Sequence, residues 1–383
     1  MKTNRHIIKI TLQTPLAIGN DKSDQLSPLC DFIIKGREVM YIDPDRLGKL
    51  VLEKGLMDEF VRESGQLSNT RTNFQLEQFI KSNLGADPGK LLLSKIPIRG
   101  RPDRRIYIRP LLKSGGRPFI PGSTVKGALK TALLYYWLCN TQRGKSRLSQ
   151  VMGMIRSSQG FDTLKKTLND ATEDLFGRLG AKKDSLQDFF CLRISDSKTL
   201  ETNDIVISEV KRLHLKKAKL GMPQYLETLK ENVSAELEIS VLPGIRHLDL
   251  EFLNQPEPGK LWDILNEFSK ASVETDRDIL DSHAGILEND EIAREVYDSL
   301  VDFFEHLSGN IGKEIKTAHM RLGFGKTYFD NSLGLAIYRE SPEIFMKYVK
   351  LFRLGKPRQT EFPVTRTVCT EPLVPMGWVT LKY

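Results

Sequence analysis

The hydrophobic pattern opens with a strict alternation. Across His6–Leu12 (H-I-I-K-I-T-L), Ile8, Ile10 and Leu12 fall on one side of an extended chain, which predicts an opening strand buried on that side. Pro15 and Gly19 then close it in a loop, and Asp31–Ile34 and Glu38–Ile42 flank Lys35-Gly36-Arg37 in a hairpin pattern. From Pro44 to about Leu84 the spacing turns helical, with Leu47, Leu50, Val51, Leu56, Phe60, Val61, Leu76, Phe79 and Ile80 apolar, until Asp87-Pro88-Gly89 breaks it. From Leu91 to Leu112, β-formers alternate with arginine. Ile96-Pro97-Ile98-Arg99 and Ile106-Tyr107-Ile108-Arg109 stand either side of G-R-P-D-R-R, whose Gly100, Pro102 and Asp103 are turn residues. The pattern predicts an exposed basic hairpin tipped by Arg101, Arg104 and Arg105.

Thr124–Leu138 has the strongest helical period, with Val125, Ala128, Leu129, Ala132, Leu133, Tyr136 and Trp137 on one face and Ser123 or Thr124 as hydroxyl caps. Residues 140–187 read as polar and mostly helical, and Phe189–Ile194, Ile205–Val210 and Glu236–Leu242 as strands. Helices follow around Leu261–Phe268 and Glu288–Leu307. A glycine loop, R-L-G-F-G-K over Arg321–Lys326, then leads to an expected last strand near Leu333–Tyr338. Stripped of insertions the order is βαββαβ, the ferredoxin-like unit that RNA-recognition domains also use. The expected class is α+β: an RRM-type core over 1–340, a helical insertion at 44–86, a basic hairpin projection at 90–117 and an extension at 341–383. A division into two RRM-like halves near residue 200 is the alternative.

Composition narrows the partners. The chain has 383 residues and a net charge of +8, but eleven Lys/Arg and one acid (Asp103) lie between Lys90 and Lys130, leaving the remainder at about −2. A charge so concentrated suits an anion, most often nucleic-acid phosphate. The four cysteines (Cys30, Cys139, Cys191, Cys369) form no C-x-x-C pair, which argues against a zinc ribbon or a disulfide framework and fits a reducing cytoplasm. No secretory signal pattern opens the chain, and the longest apolar run, about Ala128–Cys139, is too short to span a bilayer. A cytoplasmic protein without membrane contact is expected.

Two glycine devices follow the basic run. Pro121-Gly122-Ser123-Thr124-Val125-Lys126-Gly127 puts two glycines and a hydroxyl at a helix start, where free amides and the helix dipole favour phosphate, with Lys126 and Lys130 one turn apart on one face. The second is Gly323-Phe-Gly325-Lys326. Neither is a nucleotide P-loop: Ala128 follows Gly127 in the first, and Met320 stands where the second would need its leading glycine.

These residues carry a resemblance. F-I-P-G-S-T-V-K-G-A-L-K before an apolar helix, and R-L-G-F-G-K-T-Y near the end, resemble the RAMP superfamily of CRISPR-associated RNA-binding proteins. T-P-L-A-I-G-N, L-S-P-L-C-D-F-I-I and V-M-Y-I-D are similar, within it, to the distal-end subunits of type III-A (Csm) effector complexes. The resemblance implies a non-catalytic RNA-binding subunit of an antiviral ribonucleoprotein. It would grip the 3′ part of the crRNA, cap the backbone filament and support crRNA maturation by host nucleases. Its partners would be crRNA, target RNA and the neighbouring backbone and small Csm subunits, with no cofactor and no metal. Carried over by position, Gly122, Ser123, Lys126, Gly127, Lys130, Gly323, Gly325 and Lys326 would line the RNA path. The hairpin, with Arg99, Arg101, Arg104 and Arg105, would match the family's thumb-like projection. Related subunits that cut target RNA carry an Asp before Ser-Pro in the first loop; Leu26 precedes Ser27-Pro28 here, so the resemblance implies no target cleavage.

Two other readings stand beside this one. A metal-independent endoribonuclease that processes CRISPR RNA would need an acid–base group, for which His6 on the first strand is the candidate. The six histidines have no metal-ligand spacing, although Asp24 and Asp31 are candidates for a divalent ion. A pure assembly protein would use the 124–137 helix, the 140–187 helices and the amphipathic Phe345–Leu354 segment as contacts to neighbours.

Overall fold

In the computed structural model the described residues are all but 1–3, 20–24, 65–73, 103–105, 158–159, 177–191, 242–247, 255–258 and 357–359. The chain opens with β1 (Asn4–Leu12). The predicted hairpin forms as β2 (Phe32–Lys35) and β3 (Glu38–Ile42), with Lys35 opposite Glu38 across Gly36 at φ +59°. Helices α1 (Pro44–Glu53), α2 (Met57–Ser64) and α3 (Leu76–Ser82) follow, and β4 (Leu92–Pro97) returns to pair with β3. These elements bury a small core of their own, Ile33, Met40, Ile42, Leu47, Val51, Leu76, Phe79, Ile80, Leu84 and Leu91.

The segment expected as a projecting hairpin is threaded into the protein instead. After β4, Ile98 bridges in parallel to Ile207, and β5 (Ile108–Arg109) pairs in parallel with Tyr225 and Leu226. Ile96, Ile98, Ile106 and Ile108 all join the main core, so the apolar alternation serves two distant partners rather than a self-paired ribbon. Short strands β6 (Lys113–Ser114) and β7 (Arg117–Pro118) lead into the long helix α4 (Gly122–Asn140). Then come α5 (Gln142–Arg156) and α6 (Phe161–Phe176).

Two larger sheets dominate. Strands β8 (Leu192–Ile194), β9 (Ile205–His214), β10 (Lys219–Leu220), β11 (Gln224–Leu229) and β12 (Ser234–Val241) are followed by α7 (Gly259–Asp281), α8 (Ala284–Leu287), α9 (Glu291–Asn310) and β13 (Thr317–Arg321). The expected strand at 333–338 is a helix, α10 (Gly334–Glu340), with Leu335, Ala336 and Ile337 buried; a short apolar run carries no period that separates a buried helix from a buried strand. Then α11 (Pro342–Leu351), β14 (Thr365–Thr370), β15 (Leu373–Pro375) and β16 (Trp378–Lys382) complete the described chain. Residues 341–383, expected as an extension outside the core, thus supply strands to both sheets.

The first sheet is antiparallel, ordered β13-β16-β1-β12-β8. Its register sets Ile8 opposite Leu237 and Ile10 opposite Leu381, and all four are buried. Ile7 on the other face is 68% exposed, so the helices cover one side only. The second sheet runs β15-β14-β9-β11-β5, with β10 folded back on β9. The protein is a mixed α+β fold with a strongly antiparallel core.

Gly122 shows how closely helix and strand approach: a Cβ there would lie 2.3 Å from the Ile194 carbonyl oxygen and 2.4 Å from that of Ser195. Gly127, one turn on, faces open space. Gly122→Ala is therefore expected to cost roughly 1–3 kcal/mol. Gly127→Ala should be neutral or gain up to about 1 kcal/mol from helix propensity. Denaturant unfolding of the two variants checks the contrast.

Candidate nucleic-acid interface

The glycine loop is fixed from beneath by buried charge. Arg321, at the end of β13, is 5% exposed, and its guanidinium lies 3.2 Å from Asp330 and 3.5 Å from Asp276 on α7. Arg366 of β14 reaches the same Asp276 at 3.0 Å. The Arg321 Nε donates to the Met376 carbonyl at 2.9 Å, and its guanidinium stacks 5.7 Å over Trp378. Asp330 also accepts from the Thr327 amide (2.7 Å), the Thr327 hydroxyl (3.2 Å) and Ser272 (2.7 Å), so its carboxylate closes the loop. Burial pushes the Asp276 carboxyl upward against the pull of Arg366 and Arg321. Desolvation is the dominant cost here, and what the network supplies is position.

Above it, backbone meets backbone. Gly323 has φ +66°, and a Cβ there would lie 2.2 Å from the Ala17 carbonyl oxygen, which instead accepts the Phe324 amide at 2.8 Å. The loop is thereby clamped onto the chain just after β1. Gly325 packs on Met376.

The helix start faces the same space. Pro121, not Ser123 or Thr124, is the N-cap, and the first helical amide, Gly122 N–H, donates to Asp196 at 2.8 Å. The hydroxyls expected as caps are left to face outward. Ser123, Thr124, Gly127 and Thr131 line one wall of a cleft of about 590 Å³. Gly323, Phe324, Lys326 and Asn331 line the other, with Ala17–Gly19, Arg109, Pro110, Leu226 and Glu227 as floor and end. A volume of that order suits a nucleotide-sized group. Arg109 sits 5.9 Å over the Phe324 ring. Burial lowers the Lys326 pKa, Arg321 adds to the effect and Asp330 opposes it. Glu227, also at the cleft, is occupied: it accepts the Leu111 amide and Lys113 Nζ, each at 2.8 Å.

The two glycine devices read from the sequence therefore meet across one cleft. Of the expected residues, Ser123, Gly127, Gly323 and Lys326 line it; Gly122 lies behind one wall and Gly325 behind the other. Lys126 and Lys130 are half-buried on the neighbouring strip of α4. Arg99 is held by a two-pronged pair with Glu231 at 2.7 and 2.8 Å, and Arg101 is anchored through its amide to Glu209 at 3.0 Å. Arg104 and Arg105 lie outside the described residues, as does Asp24. Asp31 accepts the Ser27 amide at 2.6 Å and closes a turn. His6 packs edge-on to Tyr383, 6.2 Å between ring centres. Among the described residues no group of three or more His, Cys, Asp or Glu is placed to hold a metal ion, and no helix is long and apolar enough to cross a membrane. Sequence reasoning missed Phe324, Thr131 and Asn331 as cleft residues; Phe324 was signalled, being an aromatic set between two glycines.

Removing one member of the buried network strands the others. Asp276→Ala is expected to cost about 3–5 kcal/mol. Arg5→Gln, which breaks an exposed pair with Glu238, should cost at most about 1 kcal/mol. Urea unfolding at neutral pH measures both.

Comparison with known proteins places this geometry. The family model described as the RAMP superfamily matches residues 9–328. A protein of Methanocaldococcus jannaschii described as "CRISPR system Cms protein Csm5" is 24% identical over 404 residues, spanning 97% of this chain and 87% of that one. A chain from a cryo-EM structure of a Csm–crRNA–target RNA ternary complex of a type III-A CRISPR-Cas system aligns with a TM-score of 0.67 at 21% identity, covering 100% of both chains. The crystal structure of T. onnurineus Csm5 aligns with a TM-score of 0.63 at 19% identity, covering 97% of this chain and 99% of that one.

Proposed function

The chain belongs to the RAMP superfamily, and from that premise we propose that it is a non-catalytic RNA-binding subunit of a type III-A CRISPR ribonucleoprotein. It grips the 3′ portion of the crRNA in the cleft between α4 and the glycine loop, caps the filament of backbone subunits and supports crRNA maturation by nucleases from elsewhere. Full-length similarity to a Csm5 and to a chain of a Csm–crRNA–target RNA complex supports this reading. So does the ferredoxin-like order we read in β1-α4-β8-β12-α7-β16, with β1 and β12 neighbours at the sheet centre.

The observation that carries the proposal is the convergence of both glycine devices on one cationic cleft. Its wall residues offer what a passing sugar–phosphate chain needs: hydroxyls from Ser123, Thr124 and Thr131, charge from Arg109 and Lys326, and low relief at Gly127. The ionisable side chains among the described lining residues are Arg109, Glu227 and Lys326. With Glu227 committed to Leu111 and Lys113, no acid–base pair is poised there, which favours holding over cutting.

Incubation of the protein with labelled guide-length RNA, with and without chelator, tests the whole reading. A salt-sensitive shift with intact RNA is expected, and cleavage in either arm overturns it. With about 5 phosphate contacts, log affinity against log salt should fall with a slope of roughly −3.5 for a single strand. Arg109→Gln with Lys326→Gln should flatten that slope; an unchanged slope removes the cleft from the RNA path.

Lys326 gives the cleft a pH signature. Phosphate beside the amine favours its charged form, so the bound pKa lies above the lowered free value. Affinity is then steady at low pH and declines as pH rises through the free-state pKa, sooner than for an ordinary lysine. Lys326→Arg keeps its charge throughout. Filter binding from neutral to alkaline pH should show the wild type weakening and the arginine variant holding level.

A further inference from the structure

Apart from Arg109 on β5, the cations of the second sheet gather toward one end of it, outside the basic run of residues 90–130. β9 ends through Lys211, Arg212 and His214, turns over residues 215–218 and returns as β10, with Lys219 opposite His214. Five lysines and arginines thus fall within the nine residues 211–219, with no acid among them. Arg212, Lys216, Lys217 and Lys219 are exposed. Two carboxylates reach the cluster: Glu209 pairs with Lys211 at 2.8 Å, and Glu361 with Lys216 at 3.2 Å. Among the described residues, no carboxylate pairs with Arg212, Lys217 or Lys219. His214 registers the field: burial lowers its pKa, and Lys217, Lys356 and Lys216 push it the same way.

The hairpin also shares a surface with the cleft. Side chains alternate along β9, so Val210, Arg212 and His214 point to one face. Val210 packs with Leu226, Cys369 and Met376, and Phe324 lies against that cluster. Leu226 and Phe324 are themselves cleft-lining. From Val210 to His214 the strand covers about 13 Å, a distance spanned by a few nucleotides. Residues 205–223 contain no Phe, Tyr or Trp, so the hairpin offers charge without a stacking platform.

We propose that the β9–β10 hairpin is a second phosphate-binding surface, which holds the RNA backbone where it leaves the cleft, through Arg212, Lys217 and Lys219. The proposal rests on the cleft being an RNA path. It contacts phosphate without reading bases, and it makes affinity grow with RNA length beyond what fills the cleft.

The test uses the full chain, a series of single-stranded RNAs from short to guide length, and the variant Arg212→Gln, Lys217→Gln, Lys219→Gln. All three side chains are exposed, so thermal melting should match the wild type; if it does not, Lys217→Glu alone is read in the same way. On long RNA the triple variant is expected to reduce the salt slope by roughly 2, at about 0.7 per phosphate contact, and to lose the gain in affinity with length. Binding of the shortest RNA should be unchanged. An equal slope and equal affinity on long RNA overturn the proposal, leaving the hairpin to an acidic protein or another anion. An equal loss on the shortest RNA also overturns it, because the hairpin would then not be a separate surface. If Arg109→Gln with Lys326→Gln leaves RNA of every length bound as before, it is the cleft reading that fails.

Discussion

Four buried charges hold the cleft end of this protein together. Asp276 on α7, Arg321 on β13, Asp330 after the glycine loop and Arg366 on β14 come from elements spread over some ninety residues of sequence, yet each is at most 5% exposed. An apolar cluster of equal volume would bind these elements at least as firmly. What it would lack is direction: a guanidinium between two carboxylates accepts few arrangements, and the loop above inherits that restriction. Asp330 then passes it on through the Thr327 amide and hydroxyl to the neighbouring Lys326, one of the charged residues that line the cleft.

Above the network, contact is made by backbone. Gly323 against the Ala17 carbonyl and Gly122 against the carbonyls of Ile194 and Ser195 leave no room for a side chain. Both cleft walls are therefore set by main-chain geometry, and apart from Phe324 the wall side chains are small or polar. This division, with rigid backbone behind and adaptable polar atoms in front, suits a ligand recognised by its repeating backbone rather than by its bases.

How much of this was legible in the sequence depended on how local the cause was. The α4 helix, the Phe32–Ile42 hairpin and both glycine devices were readable because their signals lie within a few residues of the structure they form. The segment from Ile96 to Arg109 misled because its alternation is genuine but none of its partners is its own other half: Val39, Leu26, Ile207 and Tyr225–Leu226 all lie far off in sequence. Its arginines counted as free charge, yet Arg99 is held by Glu231, and no spacing rule links those two positions. Beside the short β6–β7 pair, a longer paired basic hairpin lies at 205–220, where Lys and Arg interrupt a buried strand and give a weaker signal than the denser run. Leu333–Tyr338 read as a strand because a short apolar run does not reveal its period. The buried ion network left no mark at all, since single acids and arginines far apart carry no pattern.

The position of β16 has a consequence for how the protein comes into being. Residues 378–382 lie between β1 and β13 in the first sheet, so β1 is flanked on that side by a strand made more than 350 residues after it. The centre of that sheet stays open until residue 382 has left the ribosome, whatever the helices have done meanwhile. During synthesis β1 keeps an unsatisfied backbone edge on that side. The first sheet is thus completed late in synthesis, and until then the nascent chain carries an open strand edge.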